Sequence, residues 1–197
     1  MLQYIIDNDN PNDIIDIAID SLNNGCQWVR VNISRLDTIN IEPTIKALQQ
    51  ICNERDAFLS IENDVETAVA IKASGVHLIE NNSDAIVDAR KRLGEETIIG
   101  ITVKDAADVP FLPRTAIDYV AVDSDNLEKC RQVVEQMKAS GLDEPVVAPY
   151  SQAIPIKNLM ATGINGIAVC HNTISCSKLP ILLDELNKIL EQRLIGL

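Results

Sequence analysis

Aromatic side chains are scarce in this chain: one Trp, three Tyr and two Phe, 3% of 197 residues. The core therefore cannot rest on stacked rings and must be built from the Ile, Val, Leu and Ala that make up most of the 46% hydrophobic content. Such a composition suits a parallel sheet covered by helices, where strands are buried on both faces. Basic clusters are missing too. The longest run is Arg90-Lys91-Arg92, against a net charge of -12 and a pI near 4.5, so a polyanion is repelled and nucleic acid is excluded as a partner. The first residues, "MLQYIIDNDNPND", lack a basic region and turn polar by position 7. We expect neither a signal peptide nor a membrane partner, and a cytoplasmic location. The five cysteines, Cys26, Cys52, Cys130, Cys170 and Cys176, form an odd set with no C-x-x-C spacing, which reads as free buried thiols.

What is present is alternation. Short apolar runs at 3–6, 27–32, 58–61, 76–79, 98–102, 119–122, 146–148 and 167–169 read as strands. Amphipathic stretches at about 12–24, 41–54, 64–74, 84–93, 105–114, 126–140, 152–162 and 178–193 read as helices. Eight strand-helix units without a linker, repeat or low-complexity break predict an α/β fold: a single (β/α)8 TIM barrel, one domain over residues 1–197. Gly25, Gly75, Gly94, Gly141 and Gly163 fall where helices end, the left-handed position that favours glycine. The strand-to-helix loops, which carry ligand sites in barrels, contain almost no glycine. A glycine-rich phosphate cradle is therefore absent, and an anion site would rest on helix N-termini after strands 7 and 8, near Ser151 and Asn172.

The stretch "VETAVAIKASGVHL" (65–78), followed in order by "IIGITVKD", "IDYVAV", "PVVA" and "TGINGIAV", resembles the thiamine-phosphate synthase family and its thiazole-tautomerase relatives over about residues 25–169. The resemblance implies a barrel that joins a pyrimidine pyrophosphate to a thiazole phosphate, with magnesium holding the pyrophosphate. The departures lie at the ligand positions. The family's N-D-R after strand 3 is here Glu62, Asn63 and Asp64, and its G-Q-E-D after strand 4 is Ile79, Glu80, Asn81 and Asn82. Both metal carboxylates thus become amides. The family's Q-x-R-x-K falls on Arg30, Asn32 and Ser34; its paired glycines after strand 7 become Tyr150 and Ser151; its serine after strand 8 aligns with His171. The T-x-T-K loop and the tautomerase histidine have no counterpart in "VDSDNLEKC".

Strand alternation turns Trp28, Arg30 and Asn32 into the barrel and Val29 and Val31 towards the helices. A charge there needs a partner, and Glu62 on the next strand is the expected one. His77 reads as a hydrogen-bonded core histidine. The candidate ligand-binding mouth is Arg30, Asn32, Glu62, Asn63, Glu80, Asn82, Thr102, Tyr150, Ser151 and His171, with Asp7 and Asp123 beside it. Three functions follow from the residues and the resemblance. One is a divergent synthase-like barrel binding a small phosphorylated thiazole or pyrimidine. Another is a non-enzymatic scaffold or regulatory barrel, working as a homo-oligomer with its mouth filled by its own side chains. The last is an active synthase. We expect no cofactor and no resident metal; magnesium enters only if synthase activity is retained, with Glu62 and Glu80 as replacement ligands.

Overall fold

In the computed structural model, which describes residues 1–80 and 82–195, eight parallel strands close into a barrel in the order β1 to β8. The strands are β1 (Leu2–Asp7), β2 (Trp28–Asn32), β3 (Phe58–Glu62), β4 (Gly75–Leu78), β5 (Ile98–Val103), β6 (Tyr119–Val122), β7 (Val146–Pro149) and β8 (Gly166–Cys170). Helices α1 (Pro11–Asn23), α2 (Thr38–Asn53), α3 (Val65–Ile71), α4 (Ser83–Leu93), α5 (Leu127–Ala139), α6 (Ile156–Met160) and α7 (Leu179–Ile195) wrap it. None of the described helices is long and apolar enough to cross a membrane.

Two predicted helices are cut short, and prolines explain both. Residues 105–114 form only a 3-10 turn, Ala106–Phe111, with Pro110 inside it; proline has no N–H to donate and clashes with a preceding helical turn. Asp105 and Asp108 fasten its start, Asp105 accepting from the Ala107 N–H at 2.8 Å and Asp108 from the Lys104 N–H at 2.8 Å. In the 152–162 stretch, α6 begins only after Pro155, which holds the residue before it out of helical geometry.

Alternation along the strands separates two packed regions. Val29, Val31, Leu59, Ile61, Ile99, Ile101, Val120 and Val122 point out and are buried under helix residues such as Ile14, Leu48 and Ile86. Inside the barrel, Tyr119, Ala121, Val147 and Ala168 pack with Ile5, Trp28 and Ile98. The Trp28 and Tyr119 rings meet edge to face at 5.3 Å, and Trp28 Nε1 donates to Ser60 Oγ at 2.9 Å.

Gly100 makes this interior arrangement geometrically workable. A Cβ there would lie 1.9 Å from Cζ of Tyr119, so the tyrosine ring crosses β5 only because the position has no side chain. Four of the five helix-end glycines take positive φ as expected. Gly75 does not: it opens β4, where a Cβ would meet Ser60 Oγ at 2.7 Å and the Ile98 carbonyl at 2.8 Å. The left-handed residue that ends α3 is Lys72, at φ 54. Close strand approach, rather than helix termination, is what requires glycine at position 75.

Candidate functional site

Parallel register sets Glu62 beside His77, His77 beside Gly100, and Gly100 beside Tyr119. The inward side chains of β1 to β6 thereby form a polar layer inside an apolar barrel. Arg30 Nε lies 3.1 Å from Glu62 Oε2, the side chains 11% and 8% exposed. The expected ion pair is present, but the Nε–H is not aligned on the oxygen as a hydrogen bond. Burial raises the Glu62 carboxyl above its ordinary range, with the nearby Arg30 charge opposing that push. His77 is fully buried and bonded at both ring nitrogens: Nδ1 to the Tyr119 hydroxyl at 2.7 Å and Nε2 to Thr102 Oγ1 at 2.8 Å. Desolvation first, and the Arg30 charge second, drive its pKa well below 6.5, so the ring is neutral. Tyr119 is raised by burial, opposed in part by Arg30 and Gln3.

This layer packs the barrel interior, and beside it, above β3, β4 and β5, lie two adjoining grooves. One groove of about 480 Å³ is lined by Asn63, Val65, Leu78, Ile79, Glu80, Asn82 and Ala85. A second, of about 420 Å³, shares Ile79, Glu80 and Asn82 and adds Thr102 and Lys104. The two amides are tied to the backbone. Asn63, in the left-handed region at φ 54, accepts from the Ile79 N–H through Oδ1 at 2.8 Å. Asn82 caps α4, its Oδ1 accepting from the N–H groups of Asp84 and Ala85, each at 3.1 Å. Asp64, at the family's arginine position, caps α3 by accepting from the Thr67 N–H at 2.8 Å and from its hydroxyl at 2.7 Å.

The remaining candidates are dispersed. Asn32 folds back, its Oδ1 accepting from the Ser34 N–H at 3.0 Å. His171 accepts from the Asp7 N–H at Nδ1, 3.2 Å away, and Asp123 pairs with Lys129 at 2.8 Å. Tyr150 does not join the mouth: it follows inward-facing Pro149, so alternation turns it to the helix side, where it lines a different groove with Ile174, Ile181, Leu182 and Glu185. Ser151 is not at the helix N-terminus expected there. The Ser151 hydroxyl donates to Asp125 at 2.6 Å, placing a carboxylate there, and α6 starts five residues later. Asn172 spends its amide on the Asp7 carbonyl at 3.4 Å. Of the aligned acidic-amide motif, Asn81 lies outside the described residues. Four cysteines are buried, and burial pushes the Cys26, Cys52 and Cys130 thiols up to about 11, so they are poor nucleophiles.

The magnesium that the resemblance implies does not fit the donors present. Asn63 and Asn82 carry no charge and their oxygens already accept backbone N–H groups; Glu62 is inside the barrel against Arg30, while Glu80 is exposed in the groove. Among the described residues, no group of three or more His, Cys, Asp or Glu is placed to hold a metal ion. Sequence reasoning missed Gln3, Tyr119 and Lys104 as site residues. A lone tyrosine in an aliphatic strand, with glycine on its neighbour strand, was the available signal for Tyr119.

Comparison with known proteins extends the likeness beyond the motifs. The profile of the family described as thiamine monophosphate synthase matches residues 2–173. A thiamine-phosphate synthase of Flavobacterium psychrophilum is 32% identical over 185 residues, covering 85% of this chain and 88% of that one. The Bacteroides thetaiotaomicron thiamine-phosphate synthase is 29% identical over 185 residues, covering 85% and 87%. Among solved structures, thiamine phosphate pyrophosphorylase from Pyrococcus furiosus superposes with a TM-score of 0.76 at 24% identity, covering 97% of this chain and 95% of its own. Orotidine 5'-phosphate decarboxylase from Pyrococcus horikoshii, at 12% identity and a TM-score of 0.72, shares the fold.

Proposed function

The chain belongs to the thiamine monophosphate synthase family, and we propose that it is a divergent member that binds a small phosphorylated thiazole- or pyrimidine-type molecule above β3 to β5 without the magnesium-dependent coupling. The observation that carries this reading is the commitment of Asn63 and Asn82 to backbone N–H groups. Magnesium is a hard cation that favours charged oxygen ligands, and both replacements remove a charge, while Asn82 Oδ1 already accepts two backbone N–H groups and Asn63 Oδ1 one. Glu62 is a poor substitute ligand, since leaving Arg30 would strand a buried guanidinium. The packed barrel interior supports a second reading, a regulatory or scaffolding barrel.

The names of the relatives favour synthase activity, so turnover decides. The protein is incubated with the pyrimidine pyrophosphate, the thiazole phosphate and magnesium, beside an Asn63→Asp/Asn82→Asp variant. No thiamine phosphate from the unmodified chain is the expected result; product formed at a synthase-like rate would overturn the proposal and restore the active-enzyme reading.

A further inference from the structure

We propose that the groove above β4 and β5 holds the phosphate of its ligand directly, through N–H and O–H donors of Asn63, Asn82, Thr102 and Lys104, with no bridging divalent cation. The inference rests on the reading of this groove as a ligand site and deepens it. A carboxamide offers an accepting oxygen and two donating N–H bonds. Asn82 Oδ1 is filled by two backbone N–H groups and Asn63 Oδ1 is fixed towards the backbone by one, so the group each residue has free for a ligand in the groove is its NH2. At the positions where the family has metal carboxylates, which accept, this chain presents donors. A phosphate, which only accepts when fully ionised, meets them without an intermediary.

Thr102 is set as a donor from beneath. Arg30 is always a donor, and its charge acts on the Tyr119 hydroxyl in the barrel interior. A hydroxyl near a fixed cation turns its proton away from it, which assigns the Tyr119 hydroxyl as the donor to His77 Nδ1, 2.7 Å away. A neutral imidazole has one accepting and one donating nitrogen, so Nε2–H donates to Thr102 Oγ1 at 2.8 Å. The Thr102 hydroxyl proton is then available to the groove it lines. Lys104 on the same wall adds the positive charge, and charge-assisted bonds to phosphate oxygens are the stronger kind. Glu80, the carboxylate common to both grooves, opposes an anion beside it and suits an amino substituent on the ligand's ring. Val65, Leu78 and Ala85 supply the apolar wall for that ring.

The test is titration of the full chain with inorganic phosphate, followed by NMR of the Asn63 and Asn82 side-chain NH2 signals, first in EDTA and then with magnesium in excess. The expected result is saturable movement of both signals in EDTA, with an affinity that magnesium does not raise. Thr102→Val and Lys104→Ala each weaken it by about tenfold or more. Asn82→Asp keeps the helix cap, because Asp and Asn cap equally well; it abolishes binding in EDTA and makes the remaining affinity depend on magnesium. Binding by the unmodified chain only with magnesium, an absence of movement at tens of millimolar phosphate, or affinity indifferent to both Thr102→Val and Lys104→Ala would each overturn the proposal. Because the titration reads binding alone, its failure is distinguishable from a failure of the turnover assay, which reads coupling.

Discussion

Glu62→Gln is the sharpest probe of the polar layer inside the barrel. It keeps the side chain's shape and leaves Arg30, 11% exposed, without its anion. Removing one partner of a buried ion pair costs about 3–5 kcal/mol, and with an m-value of about 2–3 kcal/mol/M in urea the unfolding midpoint falls by about 1–2.5 M. Arg30→Met should cost less, because the two residues differ in their escape route. Arginine cannot lose its proton, whereas Glu62, already raised above 4.5 by burial, can take one up at about 1.4 kcal/mol per pH unit above its pKa. The gap between the two variants therefore widens as the pH is lowered and Arg30→Met recovers. The double variant carries no buried charge at either position and recovers most of the Glu62→Gln loss. Equilibrium urea unfolding of the four proteins at two pH values measures all of this. A Glu62→Gln cost below about 1 kcal/mol, the range of solvent-exposed pairs, would show that the guanidinium is hydrated and refute the reasoning.

Gly100→Ala forces a Cβ to within 1.9 Å of the Tyr119 ring; overpacking of this kind costs about 3 kcal/mol, and thermal unfolding indistinguishable from the parent chain would rule out the close approach. Asp118 accepts from the Ile99 N–H at 2.6 Å and from Arg90 Nη2 at 2.5 Å, so Asp118→Ala should cost about 1–3 kcal/mol, toward the low end because the side chain is 41% exposed, read as a drop in the urea midpoint. His77, its folded pKa depressed below 6.5, binds a proton more readily in the unfolded chain. Its contribution to stability is therefore present above 6.5 and lost as the pH falls from there towards the folded value. Nitrogen-15 NMR should show a neutral ring protonated at Nε2 well below pH 6.5; an imidazolium signal in the folded protein would contradict both the burial and the relay.

The barrel itself was legible because its cause is periodic. Each strand places aliphatic residues such as Val29, Val31, Leu59 and Ile61 on the helix side, and the four glycines with positive φ mark helix ends. Arg30 could be paired with Glu62 from alternation and strand order alone, since adjacent parallel strands in a barrel leave an inward charge few neighbours. Tyr150 was misplaced for the complementary reason: alternation was not carried past the proline that ends β7. The Tyr119–His77–Thr102 chain was not legible, because it depends on a ring crossing Gly100 from β6 to β4, a contact between strands that are not neighbours. The groove's position was hidden as well, because it depends on which side chains pack the interior and not on any one motif.

Asn63 and Asn82 also explain how the fold can be kept while the site changes. An aspartate at a helix cap does two things: its oxygen receives backbone N–H groups, and its charge is available to a cation. The difference between this chain and its family separates those functions, because Asn82 retains the bonds to Asp84 and Ala85 and lacks the charge. Helix stability is nearly indifferent to that exchange, since the two residue types cap equally well, while the electrostatics of the groove change by a full unit at each position. Alanine separates them the other way. Asn82→Ala should lower stability by about 1 kcal/mol through the lost cap, whereas Asn82→Asp should leave the unfolding midpoint nearly unchanged and alter only the response to magnesium and phosphate. Equal destabilisation by the two substitutions would mean that the amide's NH2, and not its oxygen, holds this loop in place.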